Sequence, residues 1–512
     1  MKRRLVYTIL VMAACAAALS AQPVFNVKDY GASGRRQDNA RPALQQAIDA
    51  CGKAKGGTVY VPPGEYTSGQ LHLQSGVRLY LEAGATLFAS LDGREFDQSP
   101  RSALIYGEDL HDIAIDGRGT VDGQASYDFH LNNFTDYYIR PNQLLMEATG
   151  KPLLRSFPTG FGKEPVYPRL VLLLRCEDVR IHGLKFLRSR SWTINPYACK
   201  RLVIDGVYIY SSQKAGVWAD GIDPDGCQDV RISNSTVETG DDALVFYSAE
   251  IWGPALPTEN VTVTNCRLSS SSSAIKFCDG NSNAVRRVAI DNIVITNSNR
   301  GLAFMVFDGG IVEDVVISNV TIETRRFDWF WWGDGDPIHF NIKRRSEVDG
   351  TKRPNEPPAG VIRNVSIRNV IAHGTGTSAI NGHPDSWLDG IHLENVHLFV
   401  SHDPQAPYEN TATALRLQYA RNFTMKDVDI HWEKPESPTW KAGLQIEDVA
   451  DLLLDGVDVP TRMTLNNVDG LTVRHSRAPA LHISGARSRK IRFLDTEGII
   501  TTDSDVAHDA MK

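Results

Sequence analysis

The chain of 512 residues is 42% hydrophobic, 22% charged and 8% aromatic, a balance that excludes bulk disorder, a collagen-like polymer and a multi-span membrane protein. At ~150 residues per domain the length would accommodate three domains. A formal charge of -7 gives no electrostatic reason to seek nucleic acid, and it would weakly repel a polyanion unless a local basic patch compensates.

The first residues read as a targeting segment. Met1-Lys2-Arg3-Arg4 is basic, Leu5 to Leu19 is apolar and small, and Ser20-Ala21-Gln22 offers a cleavage point. Residues 1–21 are therefore expected to be a secretory signal peptide, with Cys15 in Met12-Ala13-Ala14-Cys15 as a rival lipoprotein site. Removal of this segment leaves 51 basic against 61 acidic groups, a formal charge of -10. No later stretch approaches the ~18 apolar residues of a membrane span, so the mature chain is placed in the periplasm or outside the cell.

Residues 22–80 differ from the rest of the chain. Arg41 to Cys51 carries apolar residues at 44, 47, 48 and 51, a helical period, and Gly56 to Gly64 reads as a strand and turn. A short helix there would cap the open edge of a solenoid. From about residue 110 one pattern recurs: two apolar residues in alternation, Asn or Gly at the fifth place, then a further apolar residue. Val230 to Asn234 with Val237 is one copy, and Val261 to Asn265 with Leu268 is another. Anchored on residues 181, 204, 232, 263, 290, 317, 367, 393, 425 and 454, the steps are 23, 28, 31, 27, 27, 50, 26, 32 and 29. Short strands joined by a corner residue tolerant of left-handed geometry make one coil of a parallel β-helix. No helix-period segment separates them, which disfavours leucine-rich repeats. The reading is a single all-β solenoid over 81–500 with its cap, loop insertions near 124–168 and 325–358, and a tail at 501–512.

Cys176, Cys199 and Cys227 each stand three residues before the first apolar residue of a coil, as expected of a ladder of small buried thiols rather than disulfides. Asn234, Asn265, Asn292 and Asn319 should form an asparagine ladder at one corner, bonding up and down the stack.

Carboxylates gather in Asp220-Gly221-Ile222-Asp223-Pro224-Asp225 and Gly240-Asp241-Asp242. Asp220 and Asp241 are 21 residues apart, about one short coil, so they should be vertical neighbours ~5 Å apart. Stacked carboxylates repel, and one of them should hold its proton near neutral pH, as glycosidic cleavage requires. The plainer reading is that these aspartates form turns. Asp241 and Asp242 would face the same cleft only if the backbone bends, which Gly240 permits.

Asp29-Tyr30-Gly31-Ala32, the Gly56 to Gly64 segment, Trp192-Thr193-Ile194, Asp220-Gly221-Ile222-Asp223 and Gly240-Asp241-Asp242 follow one another in an order that resembles glycoside hydrolase family 28, the polygalacturonase and rhamnogalacturonase family. The resemblance covers about residues 25–325. It implies a right-handed parallel β-helix and hydrolysis with inversion, without metal or other cofactor. It also implies Asp241 as general acid, with Asp220 and Asp242 activating a water. Close carboxyl pairs by themselves would suggest retention. Three departures stand out. The family's Asn-Thr-Asp opens as Trp218-Ala219-Asp220, its Gly-His-Gly falls on Ser272-Ser273-Ala274, and its uronate-gripping Arg-Ile-Lys falls on Ala303-Phe304-Met305.

Two cations are candidates to replace that grip. Arg300 counts into the column of Ser273 and Asp242, and Lys276 into the outward column of Val245 and Ala303, as a solvated or a cleft residue. Trp192 and Trp218 flank the first aspartate. Trp329, Trp331 and Trp332 crowd the later insertion with Phe327 and Phe330, either as a satellite core or as platforms for sugar rings. Tyr127, Phe129, Phe134, Tyr137 and Tyr138 offer a second wall, and insertions on both sides would narrow a groove toward exo action. His339 and His383 read as solvated or hydrogen-bonded. The expectation is an exported, monomeric glycosidase acting on a pectic or related plant polysaccharide. The alternatives are a calcium-dependent lyase, with Asp220, Asp223 and Asp225 as ligands, and a non-catalytic carbohydrate-binding solenoid.

Overall fold

A computed structural model describes residues 22–97, 100–125, 129–133, 154–158, 168–214, 216, 218–277, 279–327, 333–349, 353–406, 411–434, 437 and 439–507. The signal and lipoprotein readings on residues 1–21, Cys15 included, lie outside the described residues, as do Cys278, Trp329, Phe330, Trp331, Trp332, Tyr127, Phe134, Tyr137 and Tyr138.

The chain winds into a right-handed parallel β-helix. Strand Val24–Asn26 pairs with Gly57–Val61, and helix Arg41–Lys53 lays Ala43, Leu44, Ala47, Ile48 and Cys51 onto the first coil. This is the cap that the helical spacing called for. Beyond it each coil contributes one strand to each of three faces. The counted anchors are the stacking partners: Ile181 lies on Ile204, Ile204 on Ile232, Ile232 on Val263, and so on through Ile290, Ile317, Ile367, Leu393, Met425 and Leu454.

The corners explain the Asn and Gly at the fifth place. Asn234, Asn265, Asn292 and Asn319 have φ of 53, 56, 58 and 56°, and Gly183 and Gly206 have 73 and 64°, the left-handed region that Asn tolerates and Gly prefers. Asn265 Nδ2 donates to Asn234 Oδ1 and Asn292 Nδ2 to Asn265 Oδ1, both at 3.3 Å. The ladder steps aside at Asn319, which donates instead to Asp291 Oδ1 at 2.7 Å, and resumes when Asn369 and Asn395 each donate to the Asn below at 3.0 Å. A second left-handed corner, at Asp178, Arg201, Asp229, Asn260 and Arg287, was not visible as a pattern, because its side chains share no single type.

Inside the tube, Phe246, Phe277, Phe304 and Phe340 stack on successive coils with ring centroids 5.2, 4.3 and 4.1 Å apart. Cys176, Cys199 and Cys227 are buried free thiols. Their Sγ atoms meet the carbonyls of Leu174, Leu173 and Pro196 at 3.4, 3.5 and 3.3 Å.

The 50-residue step is one coil, with Ile317 stacked on Ile367. Residues 325–358 are not one continuous loop, however. They contain the coil's own strand, Asp336–Ile342, in register on Arg300–Val306, followed by the short helix Arg345–Asp349. Within 124–168 an antiparallel pair, Phe129–Asn133 with Leu154–Pro158, projects from the helix. Among the described residues no helix is long and apolar enough to cross a membrane.

Replacing Asn265 by Val forces a β-branched residue into the left-handed region, and is expected to lower unfolding free energy by ~1–2 kcal/mol. Asn265→Gly should cost less than half of that. Urea denaturation of the two variants measures the difference, and equal losses would show that the corner conformation is not what selects Asn.

Candidate active site

The site lies on the face formed by Arg169–Leu174, Ile194–Tyr197, Leu244–Phe246, Ser273–Phe277, Arg300–Val306 and Asp336–Ile342. Ile222 bridges Ile194 on one side and Leu244 on the other. Counting two residues back from each gives one vertical row: Trp192, Asp220 and Asp242, continued by Ser273, Arg300 and Asp336.

Two glycines let the carboxylates converge. A Cβ on Gly221 would stand 2.3 Å from the Ala243 carbonyl oxygen, and one on Gly240 2.2 Å from that of Ser212. The backbone passes too closely there for any side chain, and it bends after Thr239. Asp241 and Asp242 therefore do not diverge as they would in a regular strand. One carboxylate oxygen from each of Asp220, Asp241 and Asp242 lies within 4.8 Å of the others.

These groups are buried, at 1, 6 and 1% exposure. Burial, then the charge of Asp242, pushes Asp241 up to about 7. The N–H groups of Asp242 and Trp218 oppose that shift, donating to its two oxygens at 2.9 and 3.1 Å. Burial and the charges of Asp241, Asp223 and Asp242 hold Asp220 well above the usual carboxylate range. Asp223 is raised by burial and by Asp242 and Asp241, and Asp225 is pushed by burial to about 7.

Lys276 is held against the carboxylates rather than solvated. Its side chain is 14% exposed, and Nζ lies 2.9 Å from Asp242 Oδ2 and 3.5 Å from Asp279 Oδ1. It stands in the expected column, stacked between Val245 and Ala303. Arg300 does stack on Ser273, but it is 1% exposed, with Nε 3.8 Å from Asp336 Oδ2. It belongs to the wall beneath the cleft rather than to its open surface. His339 and His383 are buried, against Asp336 Oδ2 at 3.3 Å and Glu347 Oε1 at 3.1 Å. Neither is solvated: His383 is hydrogen-bonded to Glu347, and His339 is held beside the Asp336 carboxylate.

Trp192 and Trp218 are both half-buried. Trp192 is one plate of an arrangement that sequence reasoning missed. The Arg169 guanidinium lies 4.5 Å from the Trp192 ring and 4.7 Å from the Trp252 ring. Arg169 also donates to Asn195 Oδ1 at 3.0 Å and the Pro100 carbonyl at 3.1 Å. Burial draws its pKa down to about 10 against the charges of Asp223 and Asp220. A signal existed: Arg169 stands two residues before Val171, the stacking partner of Ile194, and so heads the row of Trp192, Asp220 and Asp242. Trp218, at φ 63°, contributes through its backbone N–H. Phe327 is buried with the Arg325 guanidinium 4.0 Å over its ring, which favours the satellite-core reading for that residue. Where the family pattern has its uronate grip, Ala303 and Met305 are buried in an apolar cluster with Phe307 and Val348. Helix Arg345–Asp349 covers that face.

Three convergent carboxylates could also accept a hard cation. The ammonium of Lys276 already sits against Asp242 and supplies part of the charge that such an ion would bring.

Comparison with known proteins agrees with this geometry. Residues 51–324, more than half of the chain, match the family model of glycosyl hydrolases family 28. A probable polygalacturonase of Vitis vinifera is 26% identical over 402 residues, covering 73% of this chain and 74% of that protein. Among solved structures, a hyperthermoactive exopolygalacturonase from Thermotoga maritima is 21% identical with a TM-score of 0.58, covering 81% of this chain and 93% of its own. A family 28 exopolygalacturonase of Yersinia enterocolitica is 19% identical with a TM-score of 0.60, covering 85% and 79%. The β-helix, the bend that gathers Asp220, Asp241 and Asp242, and the matched residues that span both converge on one assignment: the chain is a glycosidase belonging to glycosyl hydrolases family 28.

Proposed function

We propose that this chain is an exported, monomeric inverting hydrolase of a pectic or related plant polysaccharide. Asp241 acts as general acid, and Asp220 and Asp242 activate the attacking water. The observation that carries the reading is the convergence of three buried carboxylates, one of which, Asp241, is held at about 7. An acid that retains its proton at neutral pH can protonate the leaving oxygen as the glycosidic C–O bond breaks. The water oxygen then bonds to the anomeric carbon, and its proton passes to the Asp220–Asp242 pair. Spacing within 4.8 Å by itself fits retention. Family membership is what supports inversion.

Exo action is supported by two features. The outer face at Ala303 and Met305 is closed by Phe307, Val348 and their helix, and the Thermotoga and Yersinia structures are exopolygalacturonases. Nothing at Ala303 or Met305 can grip a uronate. The cations beside the carboxylates are Lys276 and Arg169, and both lie in the field of the aspartates. A substrate less charged than unmodified homogalacturonan is the preferred one on this reading.

A panel of pectic oligosaccharides tests it. Asp241→Asn is expected to lower kcat by ~10²–10⁴-fold, and the first product seen by proton NMR should have the anomeric configuration opposite to the substrate's. Full activity in the variant would sink the acid assignment, and a retained configuration would sink inversion. An unsaturated, ultraviolet-absorbing product would make the enzyme a lyase. Homogalacturonan as best substrate would overturn the specificity reading.

The raised pKa of Asp241 also has a thermodynamic sign. Its folded value, about 7, lies above the unfolded ~3.9. The stability it contributes is therefore complete below pH ~4 and is lost as pH rises through about 7. Asp241→Asn should accordingly be more stable than wild type at pH 8, by ~1–4 kcal/mol, with the gain vanishing at pH 4; thermal melts at the two pH values measure it. A gain independent of pH would contradict the assignment.

A further inference from the structure

We infer that Lys276 is a positioning residue of the acid–base machinery: its ammonium balances the charge that Asp242 adds to the cluster, so that the proton stays on the acid side. This rests on the assignment of Asp220, Asp241 and Asp242 above. Lys276 projects outward from strand Ser273–Phe277, one coil beyond Asp242, and Nζ meets Asp242 Oδ2 at 2.9 Å. Five carboxylates face it or one another here, those of Asp220, Asp223, Asp241 and Asp242 at the bend and that of Asp279 behind the lysine. Arg169 faces the Asp220–Asp223 side from the preceding coils, and Arg300 is drawn toward Asp336 from the following one. Lys276 is in direct contact with Asp242. Its charge lowers both Asp220 and Asp241 against the larger effects that raise them.

The ammonium is itself held from behind. Asp279 Oδ1 lies 3.5 Å from Nζ. Arg345 reaches Asp279 Oδ2 at 3.4 Å and its carbonyl at 2.7 Å, and also ion-pairs with Asp308. Arg345 opens the short helix Arg345–Asp349. An alternating series, Asp242, Lys276, Asp279, Arg345 and Asp308, thus ties the bend to the long coil. A freely rotating lysine would lose several rotamers on each turnover. This one is set in advance.

The test is the pH dependence of kcat/KM, on whichever pectic oligosaccharide wild type cleaves, for Lys276→Met, Lys276→Arg, Arg345→Met and Asp242→Asn. An opposite charge at this distance lowers a carboxylate by ~1–3 pH units. Lys276→Met should therefore move both limbs of the profile upward by about one pH unit or more, with kcat/KM on the acid limb falling ~10-fold for each pH unit the limb moves and KM little changed. Lys276→Arg should restore the limbs. Arg345→Met, which removes nothing near the reacting atoms, should move them the same way by less. A rise in KM with an unmoved profile would make Lys276 a substrate contact and overturn the inference, as would unchanged kinetics. Should Lys276→Met fail to fold, an unmoved profile in Arg345→Met overturns it equally. If Asp242→Asn keeps full rate, the base assignment itself falls. If Asp242→Asn is inactive while Lys276→Met keeps its profile, only the lysine inference falls.

Discussion

Everything in this molecule depends on the register of parallel strands between successive coils. Each residue sits ~4.8 Å above its counterpart one coil earlier, so a position along the coil becomes a column along the solenoid. The inward columns are filled by Ile, Val, Leu and the Phe246–Phe340 stack. A slip of one residue would exchange them with the outward set. The same register places Asp220 under Asp242 and Lys276 beside them. The geometry of the carboxylate cluster is a by-product of core packing: the apolar columns select the register, and the carboxylates inherit it.

That inheritance works against stability at one bend. A solenoid normally gains by repeating what it did one coil earlier. Here repetition would stack like charges in a buried place, which is unfavourable unless they are protonated or paired. The structure does both, through the raised Asp241 and Asp220 and through the Lys276 contact. The two glycines that permit the bend leave no room for a side chain. The bend therefore holds tightly packed backbone next to unfavourable electrostatics, as expected where chemistry rather than folding sets the residues.

The solenoid was legible in the sequence because its determinants are local and periodic. Ten anchors spaced by counting fell on their stacking partners, and the Asn corners matched their left-handed dihedral angles. The convergence of Asp220, Asp241 and Asp242 was legible for the same reason, although it is Asp242, and not Asp241 as the spacing of 21 suggested, that stacks on Asp220. The features that escaped came from side chains meeting across different coils. Arg169 begins its strand directly after an insertion, and its register partner on the preceding coil, Ala103, shares no chemistry with it. Asp279, Arg345 and Asp308 join through space over separations that no period links. Arg300 fell in the counted column, but counting along a coil does not reveal that the side chain is buried there. The stretch 325–358 concealed a regular strand because its flanking segments diluted the alternation.

The thiol column bears on how this protein comes to be folded. Burial pushes the thiols of Cys176, Cys199 and Cys266 upward, Cys176 being raised first of all by its neighbour Cys199, so these sulfurs carry almost no thiolate with which to attack a disulfide. Each of the five described cysteines is buried and unlinked. Among the described residues, then, folding waits on no oxidation step and has no cross-links to shuffle. The five described thiols give a reductant no bond to break. Among the described residues, no part of the solenoid's stability depends on which side of a membrane, reducing or oxidising, it occupies.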